Sequence, residues 1–522
     1  GNAPSAVGGR VPSMPAKKKK KGKGGHSKGS AAELDPVVIV TSAQQARERS
    51  HIQRECIPLG RRYSVLCRAQ EIRREVAESR LRAVYSRSAE CLDLRGLDLG
   101  HVPEELAALS RLEADIEPAG WNGLTALDLS KNSLNTTDHV FQALACLGGT
   151  LLKLNVSANE LSGPLPDTAR ALTHLEELDA SRNHIARLTD AAAAGWSRLR
   201  KLDLSRNELV GLPHTAGLWA ELEVLDLRLN QLVVLDGTSF ASWPKLQWVH
   251  LGHNALRDLP ESVSALVHLR ELYLTGNQLT SIPPGLLHLE SLNTLHAGAN
   301  RLQKLSLGPR RTPKGSTGGG ARSGTGAGRR EDHDNDSDRD EDEDDEDDED
   351  DKDEEADCAV EQGANEGDEH PSDVSRIRSL QLFKNRLQRL PSRFGRVFTA
   401  LQELSVSNND LSGLPSSIGC CRELSTLYAA NNKHLTSIPA SMVQCTRMQY
   451  LCFSGCPALK ALPTPHANAW TQLKDVDVRS GTKKERCKFT AEWVDAAETR
   501  GFVIRGGVPP KTKNKNKKKG KG

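Results

Sequence analysis

The sequence predicts an α/β solenoid, in which short structural repeats stack along one direction. Five segments between residues 199 and 302 follow the pattern LxxLxLxxNxL, namely LRKLDLSRNEL, LEVLDLRLNQL, LQWVHLGHNAL, LRELYLTGNQL and LNTLHAGANRL. Their asparagines, spaced 23 or 24 residues apart, are Asn207, Asn230, Asn254, Asn277 and Asn300. This pattern at this period predicts a leucine-rich repeat horseshoe with a parallel sheet on its concave side. Similar segments on both sides bring the expected array to about 13–14 repeats.

Each position of the motif has a physical role. Leu199, Leu202 and Leu204 are expected to point inward from a short strand and to stack on their counterparts in neighbouring repeats. Asn207 is expected at the turn after the strand, where its amide can bond backbone groups that would otherwise be buried unpaired. One repeat cannot bury its own apolar face, so the repeats are stable only as a stack.

Composition divides the 522 residues into a repeat array with other segments at both ends and in the middle. Solenoid ends must be sealed, so we expect a cap at each end. Segments of low hydrophobicity and high like charge are expected to be disordered. The expected organisation is a disordered basic arm at 1–30, a helical N-terminal cap at 41–90, leucine-rich repeats at 91–307, a disordered insert at 308–375, further repeats at 376–480, a small C-terminal cap at 481–505 and a disordered lysine-rich tail at 506–522.

The formal net charge of +2 combines two strongly charged parts. The acidic tract 331–357, within the insert, carries a net charge of −19, so the remainder carries +21. We expect the tract to attract a basic protein, and the lysine-rich ends to attract an anionic membrane or a nucleic acid. The basic segment 41–90 has two interpretations, a cap over the first repeat or a basic helix for nucleic acid or membrane.

The residues Gly1 to Ser5 match the start of an N-myristoylation signal after removal of the initiator methionine. The lysines at 17–21 would supply the second membrane anchor that a single acyl chain needs. A truncation or a cloning scar would explain the same five residues. Gly1 is therefore a candidate lipidation site, with these alternatives open.

Cysteine usage bears on the compartment. Eleven cysteines without paired clusters, together with the lack of a visible secretory leader or long apolar run, favour a reduced, intracellular setting. We expect a cytoplasmic protein. The alternatives are a nuclear location, or membrane association if Gly1 is acylated.

The sequence contains no phosphate-binding loop, nucleophile elbow, zinc-protease motif or kinase signature. We therefore expect a protein that is not an enzyme, with no catalytic residues, no cofactor and no small-molecule substrate. Cys452 and Cys456 have a spacing that suggests metal, but both occupy repeat positions and no matching Cys or His pair is near in the sequence. No metal site is expected.

The strand positions that face the concave side divide into two kinds. The first half of the array carries an aspartate ladder flanked by arginines, comprising Asp128, Asn155, Asp179, Asp203 and Asp226 beside Arg182, Arg206 and Arg228. Later positions carry large side chains in a protein with only 4% aromatic residues. Exposed aromatic groups with clustered neighbours are typical of interaction sites. The predicted partner-binding residues are Trp248, His250, His253, Tyr273, His296, Phe383 and Tyr428.

Two alternatives to a binding patch remain. The aspartates are equally well explained as a solvated face, and the aromatic side chains could shield one another or lie beneath the insert. The segments LRELYLTGNQLTSIPPGLL and LSVSNNDLSGLPSSI resemble the plain intracellular leucine-rich repeat proteins of the Ras-suppressor and erbin type. That resemblance covers about residues 91–480 without the insert, and it implies the fold but does not choose among scaffold, small-GTPase effector and phosphatase adaptor.

The combination of repeats and an acidic tract also resembles the acidic nuclear phosphoproteins, whose members bind histones. This chain departs from their pattern, because its acidic tract is internal, its array is longer and lysine-rich segments flank it. The leading hypothesis is a scaffold or adaptor that binds a protein of unknown identity on the concave face. The alternative is a nucleic-acid, ribonucleoprotein or chromatin-associated factor that uses the basic tails and the acidic insert.

Overall fold

The computed structural model describes residues 73–81, 91–103, 106, 123–235, 240–308, 374–463, 469–480 and 487–507, all within one compact unit that begins at Tyr63. Several expected features lie outside these residues, namely Gly1, the arm 1–30, most of the segment 41–90, the acidic tract 331–357 and the tail beyond residue 507.

The fold is a long sheet of fifteen short parallel strands, which confirms the predicted solenoid. All strands except the last come from the repeats. In sheet order they are β1 Cys91–Asp93, β2 Ala126–Asp128, β3 Lys153–Asn155, β5 Glu177–Asp179, β7 Lys201–Asp203, β8 Val224–Asp226, β9 Trp248–His250, β10 Glu271–Tyr273, β11 Thr294–His296, β12 Ser379–Gln381, β13 Glu403–Ser405, β14 Thr426–Tyr428, β15 Tyr450–Cys452, β16 Asp475–Val478 and β17 Val503–Gly506. A separate pair, β4 Ser162–Leu165 and β6 His184–Leu188, is also parallel.

The three-residue repeat strands bury their middle residue and turn the two flanking residues outward, as the period of two in a strand requires. In β7, Leu202 is 1% exposed, whereas Lys201 and Asp203 lie on the open, concave face. The buried residues of successive strands join the other motif leucines in one continuous core. The concave face therefore displays two outward columns of side chains.

Short helices cover the side opposite the sheet. Prolines occupy the N-cap position of several of them, where the missing N–H leaves no hydrogen bond unmade. The α-helices are α1 at residues 73–81, α2 Thr137–Leu144, α3 Asp190–Ala194, α4 Pro284–Leu287, α5 Phe394–Val397 and α6 Ala491–Arg500, and the 3-10 helices are Ala145–Leu147, Asp167–Ala171, His214–Leu218, Glu261–Ala265, Ser416–Cys420 and Ala440–Gln444.

A stack of tryptophans supports this helical side. Successive ring centroids of Trp196, Trp219 and Trp243 are 6.3 Å apart, and all three side chains are buried. Each indole N–H donates to a backbone carbonyl of the preceding repeat, for example from Trp219 Nε1 to Ala193 O at 2.9 Å. The rings thus fill the core and also give a second hydrogen bond to carbonyls that already accept a backbone N–H at the end of each helix.

The asparagines of the motif form a ladder along the turns that follow the strands. Asn207 Nδ2 donates to Ala180 O and to Leu204 O, each at 3.0 Å. Its Oδ1 accepts the Ile185 N–H at 3.0 Å. One side chain therefore satisfies backbone groups of two successive repeats, as the motif predicts.

The ladder continues across the insert. Asn385 Nδ2 donates to Ala297 O at 3.0 Å, and its Oδ1 accepts the Leu302 N–H at 3.1 Å, although more than 80 residues separate these partners in sequence. Strands β11 and β12 pair in the register of the other repeats. The two blocks of repeats therefore form one array.

The residues next to the insert are tied to the array. Arg393 Nη2 donates to Gly308 O at 2.7 Å on one side. On the other side, Ser375 is fully buried and its N–H donates to Val397 O at 2.8 Å. Residues 309–373, between these anchors, lie outside the described part of the chain.

Each end of the described array carries additional packing. At the N-terminal end, Ala77 and Leu81 of α1 are buried in the core beside β1. Arg80 Nη1 donates to Asp93 O at 2.5 Å, which fixes the helix to the first strand. This short helix is the described portion of the segment 41–90.

The C-terminal end is closed by an aromatic cluster around α6. Trp493 is buried, with ring centroids 5.7 Å from Trp470 and 6.1 Å from Phe502. Thr490 occupies the N-cap position without a capping side-chain hydrogen bond, and Gly501 ends the helix in the left-handed conformation. Strand β17 then pairs with β16 and extends the sheet past the last repeat.

Candidate functional site

The outward column at the end of each repeat strand changes character along the sheet. On β2 to β8 it is polar and mainly acidic, and on β9 to β11 it carries rings. Because these strands pair in parallel register, residues of this column lie side by side on neighbouring strands. The ringed positions are His250, Tyr273 and His296, with Trp248 at the other outward position of β9.

Four of the predicted site residues form one continuous group, which we call the ring cluster: Trp248, His250, Tyr273 and His296. Centroid distances are 5.7 Å for Trp248–His250, 5.8 Å for Trp248–Tyr273, 5.0 Å for His250–Tyr273 and 4.8 Å for Tyr273–His296. The His250 and Tyr273 rings are nearly parallel, whereas Tyr273 meets His296 edge-on. All four side chains are half-buried, so the cluster presents a ring surface to solvent.

His253 and Phe383 lie beside the ring cluster, against glycine backbones of adjoining repeats. A Cβ added to Gly276 would lie 2.6 Å from His253 Nδ1, and one added to Gly298 would lie 2.5 Å from Phe383 Cε1. Neither ring could keep its place over a larger residue. These two predicted site residues therefore have a packing role in addition to their exposed surface.

The two imidazoles of the ring cluster are neutral at pH 7. His250 Nδ1 accepts the Gly252 N–H at 3.1 Å, so the neutral ring carries its proton on Nε2. Burial and nearby positive charge lower the pKa of His250 to about 4. Burial also lowers the pKa of His296, although Glu403 and Glu271 act in the opposite direction.

Two carboxylates border the ring cluster. Tyr273 Oη donates to Glu271 Oε2 at 2.7 Å, and Ser379 Oγ donates to Glu403 Oε2 at 3.3 Å. Burial and the Glu271 carboxylate raise the pKa of Tyr273 to about 12, so the phenol keeps its proton. Among the described residues, neither glutamate forms a salt bridge with Lys or Arg. Both charges are therefore available to a cation from outside.

The aspartate ladder, in contrast, is bonded to its own turns. Asp203 Oδ1 accepts the Ser205 N–H at 2.9 Å, and Asp226 Oδ1 accepts the Arg228 N–H at 3.1 Å. Burial raises the pKa of Asp203, and burial together with the Asp203 charge raises that of Asp226 to about 6. The same turn bond forms at Asp93, Asp128, Asn155, Asp179 and Asp477. These side chains have a structural task, because each satisfies a backbone donor.

Tyr428 lies apart from the ring cluster, on β14, three strands beyond β11. It is 39% exposed, and Tyr450 on β15 is 38% exposed. Lys474 Nζ lies 5.5 Å from the Tyr450 ring centroid, within range of a cation–π interaction. Tyr428 and Tyr450 are therefore separate exposed aromatic residues on the concave face.

The described residues contain no group of three or more His, Cys, Asp or Glu side chains arranged to hold a metal ion. Cys456 replaces the asparagine of its repeat and donates from Sγ to Ala429 O at 3.2 Å. Burial raises the pKa of this thiol to about 11. As for membranes, a helix of sufficient length and apolarity to cross one is absent from the described ranges.

The sequence analysis missed two sets of residues. Trp196, Trp219 and Trp243 recur at the repeat period, which was the available signal for their stack. Glu271 and Glu403 occupy the other outward column, to which Trp248 also belongs. Following both outward columns would have placed the carboxylates beside the rings.

Comparison with known proteins agrees with this architecture. Two family models, both described as leucine-rich repeat, match residues 149–209 with 220–279, and residues 400–421. The leucine-rich repeat serine/threonine-protein kinase 1 of Mus musculus is 37% identical over 102 residues. That match covers 19% of this chain, and the chain spans about 5% of the length of this curated relative.

Solved structures extend the likeness over most of the chain. A leucine-rich repeat protein of Leptospira interrogans has a TM-score of 0.51 at 21% identity and covers 79% of this chain and 94% of its own. The ectodomain of a plant membrane receptor kinase of Arabidopsis thaliana, solved in complex with Casparian strip integrity factor 2, has a TM-score of 0.45 at 21% identity, covering 74% of this chain and 40% of its own. The parallel sheet, the leucine-rich repeat models and the Leptospira structure together show that the chain has the leucine-rich repeat solenoid fold.

Proposed function

We propose that the chain is a non-enzymatic scaffold that holds another protein on the concave face, with the ring cluster as its principal contact. One observation carries the proposal: four half-buried rings form a continuous group on an open sheet, and three of them stand where preceding repeats carry turn-bonding polar side chains. Leucine-rich repeat proteins are in general protein-interaction scaffolds, and solenoids bind through such extended concave surfaces.

The physical argument concerns water. Rings that are half-exposed retain apolar surface that a partner can remove from solvent, and buried aromatic anchors dominate interface energies. Trp248 and Tyr273 offer this surface on rigid strands, so a partner would not have to order a loop. The neutral imidazoles add ring surface without a charge to desolvate.

Capture of proteins from a native lysate on the full chain tests this proposal. The double substitution Trp248→Ala/Tyr273→Ala should reduce capture of a specific partner by at least about tenfold, the loss expected for interface anchors. The matched control is Val210→Ala/Val234→Ala, which removes exposed apolar side chains, 57% and 70% exposed, outside the ring cluster. Equal capture by both double variants and the parent would reject the ring cluster as the contact.

A further inference from the structure

The charge of the concave face narrows the kind of partner that it fits. Across the fifteen strands, the outward positions carry ten carboxylates against three cations, Lys153, Lys201 and Arg505. The two histidines among these positions are neutral at pH 7. The carboxylates are Asp93, Asp128, Glu177, Asp179, Asp203, Asp226, Glu271, Glu403, Asp475 and Asp477. Cations that follow the strands offset part of this charge, since Arg95, Arg228 and Arg479 pair with Asp93, Asp226 and Asp477. The strand positions themselves are mainly acidic, which disfavours phosphate backbones.

Several of these carboxylates already have charged partners. Glu177 contacts both Lys153 and Lys201, at 3.0 and 3.4 Å, and Asp475 contacts Arg505 at 2.6 Å. Glu271 and Glu403 differ, because their hydrogen-bond partners are neutral hydroxyl groups. Glu271 lies opposite Trp248 in the sheet register and bonds to Tyr273, whereas Glu403 lies on β13, two strands beyond His296.

A site that combines aromatic rings with a carboxylate favours binding of an arginine side chain from the partner. The face of an aromatic ring attracts a cation, and Trp is the best such ring. A guanidinium group stacks on rings and binds carboxylate oxygens through its planar N–H groups, whereas an ammonium group does only part of this. Trp248 and Tyr273 supply the rings, and Glu271 and Glu403 supply the acceptors.

We infer that the ring cluster is an arginine-binding site, and that the partner presents an extended, arginine-bearing segment to the acidic concave face. The inference rests on the proposed function and adds the chemistry of the partner. One arginine side chain lies on the Trp248 and Tyr273 rings, and its guanidinium donates to the Glu271 carboxylate. Glu403, three strands beyond Glu271 in the sheet, receives a second arginine of the same segment. The remaining acidic surface attracts further basic residues of the same segment.

Synthetic peptides test the inference on the full chain. The probe is a Gly-Ser peptide with three arginines, compared with matched peptides in which citrulline or lysine replaces arginine. Citrulline keeps the shape of arginine and loses its charge. We expect the arginine peptide to bind at least tenfold more tightly than the citrulline peptide and several-fold more tightly than the lysine peptide. Equal affinities for arginine and citrulline would overturn the inference.

Matched variants separate a specific site from general attraction. Glu271→Gln/Glu403→Gln should weaken the arginine peptide at least tenfold, whereas Asp179→Asn/Asp203→Asn removes two charges elsewhere on the face and should weaken it less than threefold. Trp248 fluorescence reports occupancy, with Trp248→Phe as the blank. Equal losses in the two double variants would show general electrostatic attraction and overturn the site.

Two outcomes distinguish this inference from the function on which it rests. Loss of the lysate partner with Trp248→Ala/Tyr273→Ala, but not with Glu271→Gln/Glu403→Gln, would retain the concave contact and overturn arginine recognition. The lysine-rich residues 511–522 of the chain itself are a competing occupant. If their removal strengthened peptide binding more than tenfold, that tail would be the occupant and a separate arginine-bearing partner would be overturned.

Discussion

The aspartate ladder on β2 to β8 and three members of the ring cluster, His250, Tyr273 and His296, occupy the same column of the same sheet. In the ladder, the side chain turns back to accept the backbone N–H two residues later, as Asp203 does from Ser205. His250 still makes this bond through Nδ1, while the Tyr273 hydroxyl instead donates to Glu271. His250 therefore marks the change from side chains that serve the turn to side chains that face outward.

The comparison shows that exposure alone does not identify a binding site. Asp226 is 5% exposed and has both a backbone and an arginine partner, so little of it is available to a ligand. The rings of the ring cluster contact one another. The nearby carboxylates of Glu271 and Glu403 accept hydrogen bonds from hydroxyl groups and have no Lys or Arg partner among the described residues. Four predictions test this distinction, beginning with the largest expected effect.

The largest effect separates the core from the open face on a single stretch of chain. Leu251, directly after β9, is 1% exposed, so Leu251→Ala should lower the free energy of unfolding by about 2–5 kcal/mol. Trp248 is half-buried on the open face, so Trp248→Ala should cost within about 1 kcal/mol. Chemical denaturation of both variants provides the measurement. Similar losses would place the Trp248 ring in the core.

The second prediction exchanges the roles of the two regions. Asp203→Ala leaves the Ser205 N–H of a buried residue without its acceptor, so it should lower stability by about 1–2 kcal/mol and leave partner binding unchanged. Tyr273→Ala should do the opposite. Asp203→Asn keeps an acceptor oxygen and is the control for the ladder. Paired unfolding and affinity measurements would contradict the distinction if Asp203→Ala weakened binding as much as Tyr273→Ala.

The third prediction concerns the pH dependence of stability. His250 and Asp226 lie where the two regions meet, and their pKa values are shifted in opposite directions. The pKa of His250 is lowered to about 4, so between this value and its ordinary 6.5 the unfolded chain binds more protons and stability falls with falling pH. The pKa of Asp226 is raised to about 6, so the folded chain binds more protons between 6 and 3.8 and stability rises with falling pH.

His250→Gln and Asp226→Asn remove these titrations while retaining an acceptor for the turn. Between pH 7 and pH 5, His250→Gln should lose less stability than the parent, and Asp226→Asn should lose more. Each difference should be about 1 kcal/mol, a value reduced for solvent screening because both groups lie at the open face of the sheet. Denaturation curves at the two pH values provide the test, and changes of the same sign in both variants would contradict it.

The smallest effect is expected at the insert that follows the ring cluster in sequence. Replacing residues 309–373 with a Gly-Ser linker of about ten residues should leave the melt within about 2 °C of the parent, because Asn385 and the β11–β12 register already join the two blocks. Ring-cluster affinity should also stay unchanged. A melt lowered by more than about 10 °C, or a large gain in affinity, would mean that the insert packs on the array or covers the rings.

Sequence reasoning predicted the fold because its determinants are periodic. The leucines and asparagines recur every 23 or 24 residues. The neighbours of a residue such as Asn207 are therefore the equivalent residues of the adjacent repeats, which the sequence shows directly. The adjacency of His250, Tyr273 and His296 follows from the same register. The backbone at His253 is periodic as well, since the residue before the motif asparagine has a positive φ, 58° at His253 and 57° at Arg206. The contact of its ring with Gly276 depends instead on the identity of one residue in the next repeat, which has no Cβ.

The candidate site was only partly predictable for a second physical reason. Tyr428 shares the column of Tyr273 and looks equivalent in sequence, yet two strands, β12 and β13, separate it from the rings of β11. Glu271 is an ordinary charged residue in sequence, and only the sheet shows that it lies opposite Trp248 and bonds to Tyr273. Whether two side chains on different strands contact each other depends on how many strands lie between them in the sheet. The sequence of a single repeat does not contain that information.

The hydrogen bonds of Asn385 to the repeat before the insert have a consequence for how the chain folds. Every other repeat docks on a neighbour that is close in sequence, so its loop closes at little entropic cost. Docking of β12 on β11 must close a loop that includes the 65 residues 309–373, which adds about 1 kcal/mol relative to an ordinary repeat. We therefore expect that junction to form later than the contacts within each block, so that two blocks of repeats fold first and then join at β11 and β12.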